Sequence, residues 1–274
     1  MVSCREVAFS YPGREDTPAL EDVSFDIKQG EFVALAGLNG SGKSTLCRLL
    51  NALLLPTRGK VFSCGLDTAL PENLAGIRSG VGLVMQNPDN QIVGPTVEDD
   101  VAFGPENFAL PPEEIHSRID ESLRAMDLSA LRGREPHLLS AGEKKRLAVA
   151  AVLAMRPRVL VSDESTSMLD PPTRTETLAL YAELRERLGV AIVHATHHPE
   201  EVLAADRVLL LSDGRLAFAG DPYDLFRDAG LCRKYGLRPP ALYLLAQEME
   251  RRGRPLGRTA LGAKEVADRL WASR

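Results

Sequence analysis

The chain has 274 residues, of which 44% are hydrophobic and 26% charged, with a formal net charge of −5 at pH 7. This length allows one large domain with an appendage or two small domains. The acidic balance argues against a dedicated nucleic-acid surface, and no apolar run reaches the roughly 18 residues that a membrane span needs. The four cysteines are scattered without a Cys-x2-Cys pair, which predicts reduced thiols, no zinc site and a cytosolic protein.

Short strand-like segments open the chain. Residues 2–9 alternate weakly between apolar and polar, and a turn follows at residues 10–13. Residues 23–27 alternate again before a turn at residues 28–30. Such closely spaced strands predict an antiparallel β layer near the N-terminus. Tyr11, at the end of the first strand, could stack on an adenine base or serve only in packing, and its position leaves both open.

A glycine-rich loop at residues 37–45 follows an apolar, β-prone run and precedes a segment with helical leucine spacing. Its Gly-x4-Gly-Lys-Ser pattern is typical of a phosphate-binding loop, in which backbone N–H groups and the helix N-terminus hold phosphate oxygens. Lys43 would reach the β- and γ-phosphates, and the Ser44 hydroxyl would ligate Mg²⁺. The alternative is a turn that merely joins strand to helix, but the complete pattern in this context favours nucleotide binding. The other candidate binding residues of the loop are Gly37, Asn39, Gly40, Ser41, Gly42 and Thr45.

The central part of the sequence predicts a mainly helical insertion over residues 86–155. A buried strand over residues 81–85 ends at Gln86, and a polar, turn-rich loop follows. Thr96, with Asp99 three residues later, is typical of a helix N-cap, and Pro111-Pro112 is expected to end that helix. The acidic run 98–100 is suited to pairing with basic residues of a partner, or equally to the first turn of a helix, where negative charge is favourable.

Ser140 and Glu143 form a capping-box pattern at the start of a helix that runs to residue 155. That structural role is sufficient to explain both residues. A helix N-terminus approached by small residues such as Ser140 and Gly142 is also an anion site. The motif therefore supports either interpretation.

Two adjacent carboxylates, Asp163 and Glu164, end an apolar strand. Each costs desolvation unless it has a partner, and a Mg²⁺ ion and a water nucleophile are suitable partners. Asp170 caps a long helix that Gly189 ends. The next apolar strand, residues 190–195, leads to His197.

Four separate strands thus end at the glycine-rich loop, Gln86, Asp163-Glu164 and His197. In an α/β sheet with crossover helices the strands are mainly parallel, and ligands bind at their carboxyl ends. These four places are therefore expected to surround one nucleotide. A β-hairpin over residues 207–219 and a domain boundary near residue 226 follow. Residues 227–274 carry 11 basic and 5 acidic side chains, which favours a solvated helical face over contact with acidic lipid or a partner.

In this order, the motifs resemble those of the ATP-binding-cassette ATPases over about the first four-fifths of the chain. The loop at 37–45 resembles Walker A, residues 159–164 Walker B, residues 139–143 the signature motif and residues 167–170 the D-loop. Gln86, His197 and Tyr11 match the Q-loop glutamine, the switch histidine and the A-loop aromatic.

The resemblance implies an α/β P-loop fold of RecA type with a mainly parallel sheet. An N-terminal antiparallel β subdomain, the inserted helical subdomain and a small helical C-terminal extension over residues 227–274 would complete it. It also implies ATP and Mg²⁺ as cofactors. The catalytic residues would be Glu164, His197, Lys43 and Gln86. ATP would be bound by the glycine-rich loop and by Tyr11, Ser140, Gly142 and Asp170, and the metal by Ser44, Gln86 and Asp163.

A narrower resemblance, to the ATPase subunits of energy-coupling-factor importers including the cobalt/nickel type, lies in residues 86–91, 96–107 and 165–171. The C-terminal extension is also similar. The resemblance implies an identical or related second ATPase subunit, a transmembrane coupling protein and a membrane protein that binds a vitamin or metal ion. The protein would then be peripheral at the cytoplasmic face of the membrane, without a nucleic-acid partner.

Three positions depart from the family pattern: Ala141 replaces the usual Gly, Glu143 the common Gln, and Ser162 stands in a normally apolar slot. Ala141 adds a Cβ where backbone approaches phosphate closely. Active hydrolysis is still expected, because Glu164 and the other catalytic residues are present. The alternatives are a soluble cassette ATPase of non-transport function, which usually needs a second cassette or long insertions, and a P-loop kinase, for which the signature-like segment would be only a capping box. A regulatory nucleotide binder without hydrolysis is disfavoured by Glu164.

Overall fold

A computed structural model describes residues 1–166 and 169–254. The strands in this part of the chain are β1 Val2–Phe9, β2 Leu20–Ile27, β3 Phe32–Ala36, β4 Arg58–Ser63, β5 Leu66–Asp67, β6 Val81–Val84, β7 Val159–Asp163, β8 Ala191–Thr196, β9 Arg207–Ser212 and β10 Arg215–Gly220. The α-helices are α1 Lys43–Leu50, α2 Leu74–Gly80, α3 Val97–Asn107, α4 Pro112–Ala125, α5 Ala141–Ala154, α6 Pro171–Leu188, α7 Pro199–Leu203, α8 Pro222–Arg227, α9 Ala229–Lys234 and α10 Ala241–Arg251.

Two sheets form the framework. The larger has the order β10-β9-β3-β8-β7-β6, and its strands are parallel except for β10. The smaller is antiparallel, with the order β2-β1-β4-β5. Every residue of β3, β7 and β8 is buried, as expected for parallel strands covered on both faces. The predicted α/β fold with an N-terminal antiparallel layer is confirmed.

The two faces of the parallel sheet belong to different apolar cores. Because side chains alternate along a strand, Val33 and Leu35 of β3 face α1 and the antiparallel sheet. Phe32 and Ala34 face the helices that precede β7 and those near the C-terminus. The sheet is thus sandwiched, and its strand ends are fixed from both sides.

Helices α3, α4 and α5 form the predicted insertion between β6 and β7. The Thr96 hydroxyl caps α3, and the Ser140–Glu143 capping box opens α5, as the sequence predicts. The prediction that Pro111-Pro112 ends α3 is wrong. The helix ends at Asn107, followed by Ala109 with a φ of 51°, and Pro112 starts α4, where a missing N–H costs nothing.

Three helices, α8, α9 and α10, follow the hairpin β9–β10. Phe226, Cys232 and Tyr243 of these helices pack in the same apolar core as Val208 and Leu210 of the parallel sheet. The domain boundary near residue 226 stays a prediction, and residues 255–274 of the predicted basic extension lie outside the described residues. Within the described part of the chain, no helix combines the length and apolar character needed to cross a membrane.

Candidate functional site

The predicted site residues of four strands meet at one edge of the parallel sheet. The glycine-rich loop follows β3, Gln86 follows β6, Asp163 ends β7 and His197 follows β8. These strands run in the same direction in adjacent or nearby positions. Hydrogen bonds and ion pairs between the side chains show that the four places form one cluster.

The glycine-rich loop has a backbone that only glycine fits at two positions. Gly37 has a φ of 150°, and a Cβ there would lie 2.4 Å from the Leu211 carbonyl oxygen. Gly42, at the N-cap of α1, has a φ of 105°. The Ser41 hydroxyl between them is buried and lacks a hydrogen-bond partner among the described residues. A loop of this shape, leading directly into a helix N-terminus, suits an anionic ligand.

Lys43 connects this loop to the end of β7. Its Nζ donates to the carbonyl oxygens of Gly37 at 2.8 Å and Leu38 at 3.1 Å, and it lies 3.3 Å from Oε1 of Glu164. Both side chains are almost fully buried. A buried ammonium held by carbonyls and one carboxylate can exchange such partners for phosphate oxygens at little steric cost.

Ser44 and Asp163 provide oxygen donors of the kind that Mg²⁺ prefers. The Ser44 hydroxyl donates to Oδ1 of Asp163 at 2.8 Å. Burial raises the pKa of Asp163; the Ser44 hydrogen bond opposes the shift, and the neighbouring charge of Glu164 adds to it. A cation at this carboxylate would favour its ionised form. The described residues contain no cluster of three or more His, Cys, Asp or Glu side chains suited to a metal. Ser44 and Asp163 supply a hydroxyl and a carboxylate, a donor set that suits an ion also held by substrate phosphates.

Glu164 lies at the centre of the cluster. Besides Lys43, its carboxylate accepts a hydrogen bond from Nε2 of Gln86 at 3.0 Å and lies 3.7 Å from Nδ1 of His197. Its backbone is left-handed, with a φ of 49°, and its N–H donates to the Ala195 carbonyl oxygen at 3.1 Å. Such strain in a non-glycine residue is frequent at functional sites.

Tyr11 reaches the loop helix through its hydroxyl group, which lies 3.1 Å from the Thr45 hydroxyl. Its ring packs edge-on against Phe9, with centroids 4.9 Å apart. The ring is half-buried, so both packing and contact with a base are compatible with its position. The adenine contact stays a prediction.

Ser140, Gly142 and Asp170 do not join the cluster. The hydroxyl of Ser140 caps α5, and the carboxylate of Asp170 caps α6. No hydrogen bond links any of the three to the glycine-rich loop within residues 1–166 and 169–254, and Ser140 and Asp170 are exposed. Residues 167 and 168 of the predicted D-loop lie outside the described residues.

The acidic run 98–100 is engaged within the chain. Glu98 forms a bidentate pair with Arg132 at 2.7 and 2.5 Å, and Asp99 accepts a hydrogen bond from the Thr96 hydroxyl at 2.6 Å. Asp100 is buried and accepts the N–H groups of residues 93 and 94. The interpretation as a helix first turn therefore describes this run better than pairing with a partner.

A buried polar network beside the site was missed at the level of sequence. Its centre is the carboxylate of Glu201, which is fully buried and accepts hydrogen bonds from Nε2 of His194 at 2.7 Å and from the hydroxyls of Thr166 and Thr196. Burial by itself would raise the pKa of Glu201, but these hydrogen bonds and the charge of His194 outweigh it and lower the pKa to about 2. The only sequence signal was the pair of polar residues, Ser162 and His194, within apolar strands.

Ser162 has a structural explanation in the same network. Its hydroxyl lies 2.9 Å from Nδ1 of His194 and 2.6 Å from the Ser165 hydroxyl. The Tyr181 hydroxyl of α6 donates to it at 3.3 Å. The serine that departs from the family pattern thus joins β7 to β8 and to α6 through hydrogen bonds of its own hydroxyl group.

A glycine-rich loop between a buried strand and a helix, in a mainly parallel sheet, is the architecture of the P-loop nucleoside triphosphatases. Comparison with known proteins agrees and is more specific. The model of the ABC transporter family matches residues 20–167. The chain is 48% identical to the energy-coupling factor transporter ATP-binding protein EcfA1 of Symbiobacterium thermophilum over 96% of this chain and 94% of that protein. It is 44% identical to the EcfA protein of Methanosarcina acetivorans, with 92% and 91% covered.

Solved structures lead to the same family. CbiO1 of Clostridium perfringens, described as part of the ABC transporter complex cbiONQ, is similar with a TM-score of 0.75 and 35% identity over 90% of this chain and 98% of that one. The dimeric ATP-binding cassette MJ0796 with ADP and phosphate is similar with a TM-score of 0.75 and 31% identity, covering 81% and 99%. The chain therefore belongs to the ABC transporter family and, within it, to the energy-coupling factor transporter ATP-binding proteins. It is an ATPase subunit of a transporter of that type.

Proposed function

We propose that this ATPase subunit drives the uptake of a vitamin or a transition-metal ion through separate membrane subunits. The observation that carries the proposal is the convergence of Lys43, Ser44, Gln86, Asp163, Glu164 and His197 at one sheet edge, in a chain of this family. These are the groups that phosphoryl transfer to water requires: cations for the phosphates, oxygen ligands for a metal, and a carboxylate for the water.

ATP would bind with its phosphates on the glycine-rich loop. The N–H groups at the start of α1 and the ammonium group of Lys43 would neutralise phosphate charge. Lys43 would then exchange its contact with the Glu164 carboxylate for phosphate oxygens. This exchange would free Glu164 from its 3.3 Å ion pair. Tyr11 would contact the base.

Ser44, Asp163 and Gln86 would hold Mg²⁺ beside the bound nucleotide. The bound ion supplies charge neutralisation on the phosphates during transfer. The Ser44 hydroxyl and the Asp163 carboxylate are already adjacent, so these two residues need little rearrangement to bind it.

Glu164 would act on the attacking water. Its carboxylate would take a proton from the water, whose oxygen forms a bond to the γ-phosphorus while the bond to the β–γ bridging oxygen breaks, giving ADP and phosphate. Lys43 and His197 would stabilise the charge on the γ-phosphoryl oxygens. Gln86 is hydrogen-bonded to Glu164 and lies at the start of the helical insertion. It would relay the state of the nucleotide to that insertion.

The ATPase would work as a pair closed head to tail, with an identical or related second subunit. Ser140, Gly142 and Asp170 lie apart from the glycine-rich loop of their own chain, and Ser140 and Asp170 are exposed. Each is therefore free to complete the site of the partner. The pair would bind a transmembrane coupling protein through the helical insertion, at the cytoplasmic face of the membrane, and that protein would hold the substrate-binding subunit.

The pairing is tested by the mass in solution of the purified Glu164→Gln protein, alone, with and without Mg-ATP. Blocking hydrolysis should preserve the ATP-bound state. A dimer that depends on ATP supports a homodimer with two equivalent sites. A monomer that binds ATP contradicts the homodimer and leaves a related ATPase or the membrane subunits as the required partner, whereas a failure to bind ATP contradicts the proposal itself.

A further inference from the structure

Lys145 is a lysine buried where the helical insertion meets the sheet. Only 3% of its surface is exposed, and it lies near the start of α5, just after the capping box. A buried ammonium group is costly unless acceptors and opposite charges surround it. The groups around Lys145 therefore indicate what the side chain does.

The ammonium group contacts the backbone of Glu164. Its Nζ donates to the Glu164 carbonyl oxygen at 3.3 Å. The N–H of the same residue donates to the carbonyl oxygen of Ala195 on β8. Two elements of different subdomains, α5 and β8, thus hold the two backbone polar groups of Glu164.

Glu164 needs such support because its backbone is left-handed, with a φ of 49°. For a residue with a Cβ this conformation is unfavourable and persists only where the surroundings enforce it. If Glu164 relaxed to a negative φ while its N–H stayed bound to Ala195, its carbonyl group and its side chain would turn together about the N–Cα bond. The carboxylate would then move relative to Gln86 and Lys43, which it now contacts.

The charges around Lys145 belong to the sheet edge. Burial lowers the pKa of the ammonium group, and the negative charges of Glu164 and Glu201 oppose that shift. Glu164 follows β7, and Glu201 lies in α7 after His197. The ammonium group of Lys145, on the helical insertion, is therefore stabilised by carboxylates that follow strands of the parallel sheet.

We infer that Lys145 is a positioning residue for ATP hydrolysis, which holds the backbone of Glu164 so that its carboxylate meets the attacking water. The contact also makes this geometry depend on the position of the helical insertion, since Lys145 moves with α5. The inference rests on the proposed function, because it assumes that Glu164 acts on water. Lys145 itself touches none of the reacting atoms.

The test compares ATP turnover and ATP affinity of the full-length protein with those of Lys145→Met and Lys145→Gln. Met has a similar length and suits a buried site, so the fold should be kept, but it donates no hydrogen bond. We expect kcat to fall by about 10- to 100-fold, the cost of a small misplacement of a catalytic group, with KM and ATP affinity unchanged. Gln restores an N–H donor of shorter reach, so the kcat of Lys145→Gln should lie between those of Lys145→Met and the unmodified protein.

The control is Lys60→Met, which removes the same charge from an exposed position of β4 and should turn over ATP as the unmodified protein does. A loss of kcat in Lys145→Met with an unchanged melting temperature, partly recovered in Lys145→Gln, supports the inference. Equal kcat in all variants overturns it, as does a loss confined to stability or ATP affinity. All variants are assayed in the assembly in which the unmodified protein turns over ATP, alone or with its partner subunits. An unmodified protein that does not bind ATP would overturn the proposed function instead, which is a distinct result.

Discussion

At the scale of single residues, the ionised carboxyl group of Glu201 contributes to the stability of the fold. Its folded-state pKa of about 2 lies below the ordinary value of 4.5. A lowered carboxyl pKa stabilises the fold fully above the unfolded-state value, and this contribution is lost as the pH falls toward the folded-state value. Arg174 lies 3.5 Å from Oε1 of Glu201, and Nε2 of His194 donates a hydrogen bond to Oε2 at 2.7 Å.

Replacing Glu201 with Gln should therefore destabilise the protein most near pH 6. The difference in unfolding free energy between the unmodified protein and Glu201→Gln, measured by urea denaturation, should shrink as the pH is lowered from 6 toward 3. Glu200→Gln, at the exposed neighbouring position, is the matched control and should give a small, constant difference. A Glu201→Gln difference that does not change with pH would contradict this account.

Among single residues, the sequence predicted those that lie in a recognisable motif and missed those that do not. Lys43, Asp163 and Glu164 could be identified because phosphate chemistry demands these residue types at these positions. Glu201 and Lys145 could not, because their burial depends on how α7 and α5 pack on the sheet. The left-handed backbone of Glu164 leaves no trace in the residue type.

At the scale of elements, Ser140 at the start of helix α5 has two possible roles. Ser140 caps the helix by accepting the N–H of Glu143 at 3.3 Å, while the Glu143 carboxylate accepts the N–H of Ser140 at 2.7 Å. In the proposed pair, the same hydroxyl would face the γ-phosphate of the partner's ATP. A substitution can separate the two roles because Asp caps helices as well as Ser does.

We expect Ser140→Ala to lower the unfolding free energy by about 1 kcal/mol through loss of the cap. Ser140→Asp should keep the stability but abolish ATP turnover, since its negative charge would oppose the phosphate. Urea denaturation and phosphate release measure the two effects. If Ser140→Asp hydrolyses ATP normally, capping alone explains this residue.

Elements with a strong pattern were predictable and those set by long-range packing were not. The strand Val2–Phe9 has the predicted bounds, and the capped starts of α3, α5 and α6 follow their N-cap residues. Helix α2 and the two-residue strand β5 were not predicted, because neither has a periodic apolar pattern. Helix α3 ends before the prolines that were expected to stop it, since a positive φ at Ala109 already turns the chain.

For the molecule as a whole, strand direction decides the function. Parallel strands place their carboxyl ends at one edge, so residues as far apart in sequence as Lys43 and His197 share the carboxylate of Glu164. The sequence predicted this convergence because each strand ends in a polar residue. The family resemblance already implies a second ATPase subunit, and the exposed positions of Ser140 and Asp170 are compatible with that arrangement.

The most direct test of the account is steady-state phosphate release from Mg-ATP by the unmodified protein and by Glu164→Gln, with ATP binding measured on both. The amide cannot accept a proton from water but keeps the size and a hydrogen-bonding capacity toward Gln86. We predict that Glu164→Gln binds ATP and releases essentially no phosphate, while the unmodified protein turns over. Phosphate release by Glu164→Gln at the unmodified rate would contradict the central claim that this carboxylate directs hydrolysis.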